Sequence, residues 1–172
     1  MTVNELPPHY NIALNQAWLW MKAVEGPTAR LLGDGSGLPD ALLLLVALRN
    51  VKRAAVMSQK SLQQPGAVQI LTDALAAFDE ALPGLKDARD VIEHFDEYTV
   101  GASPRQQRNG PPGATEAELA SFYETKLDGP YNRPTVRVGS LAIEVAKVPA
   151  AAALLFRGIW EAADAEDGQS TI

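Results

Sequence analysis

Between Pro39 and Gln59 the chain reads PDALLLLVALRNVKRAAVMSQ, and this stretch indicates the class of fold. Pro39 is well placed for the first turn of a helix, so we predict a helix from Pro39 to about Gln59. The run Leu42–Val46 is apolar on every side of such a helix, as in a helix that other helices surround. The stretch therefore predicts a mainly helical protein in which several helices pack around this segment.

Further helices are predicted on both sides of this segment, which gives an up-down bundle of about five helices. Gly26-Pro27 is expected to stop the first helix, Pro83-Gly84 to separate the third from the fourth, and Gly101 to end the fourth. The predicted spans are His9 to Glu25, Gly66 to Leu82, Leu85 to Val100, and Pro149 to Ala165.

Two of these helices carry the tryptophan residues of the chain. Trp18 and Trp20 are two positions apart in the first helix and so point in different directions, which places one in the core and the other at an interface. The last helix is expected to bury Leu154, Leu155, Ile159 and Trp160.

The remaining segments carry turn and loop signals. Thr115 and Glu118 form a capping-box pattern that opens a short helix to about Lys126. Two alternating runs around Gly139-Ser140 predict a β-hairpin near residues 135–146, with Val138 facing Leu141 and Val136 facing Ile143. We predict a flexible loop at 101–114 and a frayed tail at 165–172.

Composition limits the class of protein. The 172 residues suit one domain, 1–172, with 47% hydrophobic residues and no cysteine, so disulfides and cysteine nucleophiles are excluded. The formal charge of −6 is unlike that of a protein coated with basic residues for nucleic acid, but it is compatible with a local basic groove. No secretory signal and no membrane-spanning run is visible, since the longest apolar run is Ala41–Leu48. We expect a cytoplasmic protein without a membrane partner.

Two groups of basic residues are candidates for contacting phosphate. Arg49, Lys52 and Arg53 form a short basic stripe on the second predicted helix, and Arg105 and Arg108 lie in the 101–114 loop. The stripe has an alternative interpretation as a solvated face, or as partners for carboxylates on a neighbouring helix.

The segment Arg89–Tyr98, RDVIEHFDEY, carries the most distinctive chemistry. Asp90 and His94 are four residues apart, so in a helix they share a face, and the carboxylate can orient the imidazole. Arg89 is about 140° around the helix axis from His94, so one helix does not readily aim both groups at one phosphate. Two copies of the helix that face each other across a two-fold axis would bring these groups into one cleft.

This segment resembles the R-x4-6-H signature of HEPN domains, a superfamily that includes many metal-independent ribonucleases acting as dimers. Arg89 and His94 match the paired residues, and Asp90 matches the polar position after the arginine. Asp96 stands where the toxins of that superfamily paired with a nucleotidyltransferase have tyrosine. The resemblance implies a homodimer formed through the Arg89–Tyr98 helix.

The expected function is RNA cleavage by transesterification, or RNA binding, in a toxin–antitoxin or defence system. His94 would be the base, Arg89 the phosphate clamp and Asp90 the orienting group, without metal or cofactor. The partners would be RNA and an antitoxin-like protein. The alternative is a non-enzymatic helical module, of immunity or scaffold type, whose acidic surface binds a basic protein.

Overall fold

A computed structural model describes residues 8–33, 37–94, 98, 104–130 and 133–168; the side chains of residues 8–11, 86, 87, 89, 93, 104, 105 and 109 lie outside this description. The fold is mainly helical, as predicted, and it contains a small three-stranded antiparallel sheet that includes the predicted hairpin. No helix among these residues is long and apolar enough to cross a membrane. The elements are α1 Pro8–Leu32, α2 Leu38–Gln59, α3 Pro65–Ala81, α4 Leu85–Glu93, α5 Pro104–Asn109, α6 Glu116–Tyr123, β1 Lys126–Asp128, β2 Thr135–Val138, β3 Leu141–Glu144, a 3₁₀ turn Val145–Lys147, and α7 Val148–Gly168.

Helix α2 occupies the centre of the bundle, where it packs against α1, α3, α4 and α7. Leu44, Leu45 and Leu48 are fully buried along its inner face. The prediction that the Leu42–Val46 run is surrounded on every side is wrong at Leu43, which is 55% exposed. Five consecutive apolar residues cover more of the helix circumference than the neighbouring helices can cover.

Helix α1 continues to Leu32, so the prediction that it stops at Gly26-Pro27 is wrong. Proline cannot donate the backbone hydrogen bond of its turn, which normally breaks or kinks a helix. Here Val24, Thr28 and Leu31 are buried along one face, and this packing maintains the helix. The Thr28 hydroxyl also donates to the Val24 carbonyl at 2.7 Å.

The region after α3 differs most from its prediction. Gly84, with φ of +81°, separates α3 from α4 as expected, but α4 ends at Glu93 rather than at Val100. The predicted 101–114 loop contains helix α5, Pro104–Asn109. Gln106 is fully buried there and its Nε2 donates to the Tyr98 carbonyl at 2.6 Å. This buried contact gives a segment without apolar periodicity a fixed place in the fold; residues 99–103, including the predicted Gly101 cap, lie outside the described residues.

The predicted hairpin is confirmed, together with its register. Val138 pairs with Leu141 and Val136 with Ile143, and all four side chains are buried. The capping box at Thr115 is also confirmed. Helix α6 ends at Tyr123 rather than near Lys126, because Lys126–Asp128 forms β1, an additional strand paired with β2.

Helix α7 packs extensively on α3 and also contacts α1 and α2. Leu155 and Ile159 are fully buried as predicted, whereas Leu154 and Trp160 are exposed, at 44% and 37%. The helix continues to Gly168, so the predicted frayed tail does not include residues 165–168; residues 169–172 lie outside the described residues. One reason for the extension is that the Glu166 carboxylate accepts hydrogen bonds from the backbone N–H groups of Gln63 and Gln64, at 3.0 and 2.9 Å.

Candidate nucleic-acid interface

The segment Arg89–Tyr98 begins within helix α4, which includes its residues 89–93. Leu85, Ala88 and Val91 form the buried stripe of α4, which packs against α2 and contacts β3. Arg89 belongs to the α4 backbone, but its side chain lies outside the described residues. Asp90 is half-buried and follows directly after it. The helix therefore presents Asp90 beside the core stripe, as the predicted amphipathic pattern requires.

His94 is the first residue beyond this helix. Its backbone angles, φ −117° and ψ 37°, are not helical, although its N–H still donates to the Asp90 carbonyl at 3.1 Å. The side chain is exposed. The prediction that Arg89, Asp90 and His94 share one continuous helix is wrong at His94, because the backbone dihedral angles of that residue leave the helical region.

The inner side of this segment borders an apolar pocket of about 660 Å³ rather than a charged cleft. Val91 and Ile92 of α4 and Tyr98 face Leu38 and Leu42 at the start of α2 across it. The described part of the segment thus contributes apolar contacts to the protein interior, and a phosphate would have to approach its outer side.

The basic stripe of α2, in contrast, lines an open groove of about 770 Å³ between α2 and α1. We call it the basic groove. Arg49, Lys52 and Arg53, the three residues of the predicted stripe, all line it. Lys60 also lines it, about two helical turns beyond Arg53. None of the described residues that line it is acidic; the others are Gln16, Trp20, Asn50, Ala54, Val56 and Met57.

The charges in the basic groove are unequally compensated. Lys52 forms an ion pair with Asp79 of α3, with its Nζ 2.6 Å from Oδ2. Lys52 thus has the alternative role predicted for the stripe, that of a partner for a carboxylate on a neighbouring helix. Arg53 and Lys60 are exposed and make no ion pair with a carboxylate that the structure describes. Arg49 is half-buried. The groove therefore keeps a local positive charge although the whole chain is acidic.

One wall of the basic groove is aromatic. Trp20 is half-buried, and its indole Nε1 donates to the Gln16 side-chain oxygen at 3.1 Å, which holds the ring in place. Trp18, two residues away, lies in a different groove between α1 and α7, so the prediction that the two rings point in different directions is confirmed. Sequence reasoning missed Trp20, Gln16 and Lys60 as site residues. The seven-residue spacing from Arg53 to Lys60 is a signal that could have added Lys60 to the stripe.

The loop arginines are not brought to this groove by the described part of the chain. Arg108 is exposed in the last turn of α5 and is not among the described residues that line the basic groove. The side chain of Arg105 lies outside the described residues. Of the predicted phosphate-contacting residues, only the three of α2 form a described cluster.

Comparison of the chain with models of known protein families, with curated proteins and with solved structures finds no match.

Proposed function

We propose that this chain binds RNA and that the basic groove holds the RNA backbone. The observation that carries the proposal is the clustering of Arg49, Lys52, Arg53 and Lys60 around one open groove whose described lining contains no carboxylate. Phosphate contacts through Lys and Arg supply most of the affinity of nucleic-acid binding that does not depend on sequence. A chain with a net charge of −6 can make such contacts only where positive charge is locally concentrated.

The spacing of the cations favours a strand that runs along α2. At 1.5 Å per residue, the Cα atoms of Arg49 and Arg53 are about 6 Å apart along the axis, and those of Arg53 and Lys60 about 10 Å. Long Arg and Lys side chains at these spacings can therefore reach several phosphates of one strand. Lys52 contributes less, because Asp79 already neutralises it.

The aromatic wall favours an unpaired strand over a duplex. Proteins that bind single strands combine a positively charged groove with aromatic rings on which bases stack, and stacking is worth about 1–3 kcal/mol per base. Trp20, with Val56 and Met57 beside it, supplies an apolar surface next to the cations. We therefore expect single-stranded RNA of little sequence preference to be the ligand.

Binding should be tested with a labelled single-stranded oligonucleotide by fluorescence anisotropy across a range of salt concentrations. With three phosphate contacts, the slope of log K against log salt should be about −2 for a single strand. Arg53→Glu with Lys60→Glu should weaken binding by about tenfold or more and flatten the slope, since two contacts become repulsive.

The matched control is Arg133→Glu with Lys147→Glu, which changes the net charge equally at exposed positions outside the described lining of the groove. This control should change the affinity by less than about threefold at moderate salt, where distant charges are screened. Equal losses in both double variants would mean that the groove has no special role.

RNA cleavage by Arg89, Asp90 and His94 is a separate proposal that rests on the HEPN resemblance and not on the groove. In it, His94 accepts the proton of a ribose 2′-hydroxyl while Arg89 holds the phosphate. Incubation of RNA with wild type, His94→Ala and Arg89→Ala tests it. Cleavage that is unchanged in both variants discards this catalytic role, and RNA binding in the groove would be unaffected by that result.

The second candidate function, a helical protein-interaction module, is favoured by a different observation. Trp18 and Trp160 are exposed by 49% and 37% in a groove on the other side of α1. A wild-type protein that binds another protein but does not bind RNA would favour this function.

A further inference from the structure

The second groove of the molecule, between α1 and α7, is rich in aromatic and sulfur-containing side chains. Trp18 and Met21 line it from α1, and Phe156 and Trp160 from α7, around a volume of about 470 Å³. We call it the aromatic groove. Large aromatic side chains dominate the energetics of protein interfaces, so two half-exposed tryptophans in one groove indicate a contact surface.

The rings of this groove are already held in a fixed arrangement. Phe156 and Trp160 are one helical turn apart and pack edge to face, with ring centroids 6.3 Å apart. Rings fixed in this way lose little conformational entropy when a partner covers them. The aromatic groove therefore has an ordered surface that a partner can contact.

The charges around the aromatic groove alternate in sign. Lys22 and Glu25 form an exposed ion pair on α1, with their side-chain atoms 2.8 Å apart. On α7, Arg157 lines the groove and Glu161 follows it one turn further along the helix. Both are exposed, and neither makes an ion pair with an oppositely charged group that the structure describes. A uniformly basic or acidic partner, RNA included, would be repelled by one half of this surface.

A partner that matches such a surface must present the same two charges in reverse order. A second copy of the chain does so when its α7 runs antiparallel, because a two-fold axis between Arg157 and Glu161 places each residue opposite its complement. We infer that the aromatic groove is a self-association surface, in which Arg157 faces the partner's Glu161 and the rings of both copies close over each other.

This pairing leaves the basic groove open. Trp18 and Trp20 are two residues apart, about 200° around the α1 axis, so the two grooves flank opposite sides of that helix. It also differs from the expected dimer through the Arg89–Tyr98 helix, whose described inner side borders the apolar pocket of the same chain.

Sedimentation velocity across a range of protein concentrations tests the inference, with wild type and three variants of α7. Arg157→Glu and Glu161→Arg should each weaken self-association by about tenfold or more, since each creates two like-charge contacts in a two-fold pair. The exchange variant Arg157→Glu with Glu161→Arg should return to within about threefold of wild type, because the complementarity is restored.

Arg133→Glu is the control for a charge change outside the aromatic groove and should leave the association unchanged. Circular dichroism should show the same helix content in all variants, since every substituted side chain is exposed. A monomeric wild type, single variants that associate like wild type, or an exchange variant as weak as the single variants would each overturn the inference. Dimers that dissociate on His94→Ala instead would assign the contact to the Arg89–Tyr98 segment and overturn the inference as well.

Discussion

The pairing of Thr115 with Glu118 is the clearest example of chemistry at the scale of single residues. The Glu118 carboxylate accepts hydrogen bonds from the Thr115 backbone N–H and hydroxyl, both at 2.8 Å, and these bonds hold the pKa of Glu118 below its ordinary value. In return the Thr115 hydroxyl accepts from the Glu118 N–H. The ionised carboxylate is therefore part of what starts helix α6.

The sign of the pH dependence follows from this lowered pKa. The folded protein binds the Glu118 proton less readily than the unfolded chain, so the stabilisation is present above the ordinary glutamate pKa and is lost as the pH falls through the lowered value. Urea unfolding at several acidic pH values should show a smaller loss of stability on acidification in Glu118→Gln, which keeps the capping pattern but cannot titrate. Glu116→Gln, in the same first turn, is the control and should retain the wild-type pH dependence.

Single residues also explain where sequence reasoning was insufficient. The Thr115–Glu118 pattern was recognisable because both partners lie within four residues of each other. The burial of Gln106 was not recognisable, because it depends on the Tyr98 carbonyl. That acceptor is eight residues away, across a segment without apolar periodicity. A sequence reveals pairs of residues that are close together in the chain. It does not reveal a polar side chain that is buried because it donates a hydrogen bond to an acceptor further away in the chain.

At the scale of elements, the helix boundaries depend on tertiary contacts more than on the positions of proline and glycine. Proline and glycine separated α3 from α4 but did not stop α1, where burial on either side of Pro27 outweighs the lost backbone hydrogen bond. The hairpin register was predictable because turn type and alternation agree. Strand β1 was not predictable, since an alternation of apolar and polar residues cannot be recognised over three residues. In the candidate site, the α2 stripe was predictable from spacing, but the aromatic wall belongs to another helix.

The start of α3 gives a testable case of one element stabilising another. The Glu166 carboxylate of α7 accepts hydrogen bonds from Gln63 and Gln64 just before α3, where helix N–H groups otherwise lack partners. Glu166→Ala should therefore lower the free energy of unfolding by about 1 kcal/mol, in the range of a lost helix cap. Chemical denaturation measures this loss. Asp164→Ala, an exposed position on the same helix, should change stability by less than about 0.5 kcal/mol. Equal losses in both variants would assign the effect to helix charge rather than to capping.

At the scale of the whole molecule, the bundle is held by two extensive helix pairs, α1 with α2 and α3 with α7. The second pair needs a close approach at Gly158. A Cβ atom added there would lie 2.4 Å from the Cβ of Ala74, well inside van der Waals contact. The fold class could be predicted from the apolar α2 segment, but this pairing of helices could not, since it depends on which small residues meet.

Gly158→Ala should consequently destabilise the protein, although alanine favours a helix more than glycine does by about 1 kcal/mol. Overpacking of this kind typically costs about 1–3 kcal/mol, so the net loss in thermal unfolding should be visible. Gly66→Ala, also helical but with open space around the added Cβ, should instead stabilise by up to about 1 kcal/mol. Ala74→Gly should rescue the Gly158→Ala variant. Stabilisation by both glycine replacements would contradict the close approach.

The hydrogen bond between Glu166 and Gln63 joins residues that are 103 positions apart in the sequence. This separation matters during synthesis, because the ribosome completes α3 well before α7. Helices α1 and α2 are adjacent in the chain and can pair during synthesis, whereas α3 waits for α7. At about 5–20 residues per second, that interval lasts roughly 5–20 s. Throughout it the apolar side of α3 lacks its main cover, so nascent chains are most prone to aggregate in this window and completion of α7 ends it.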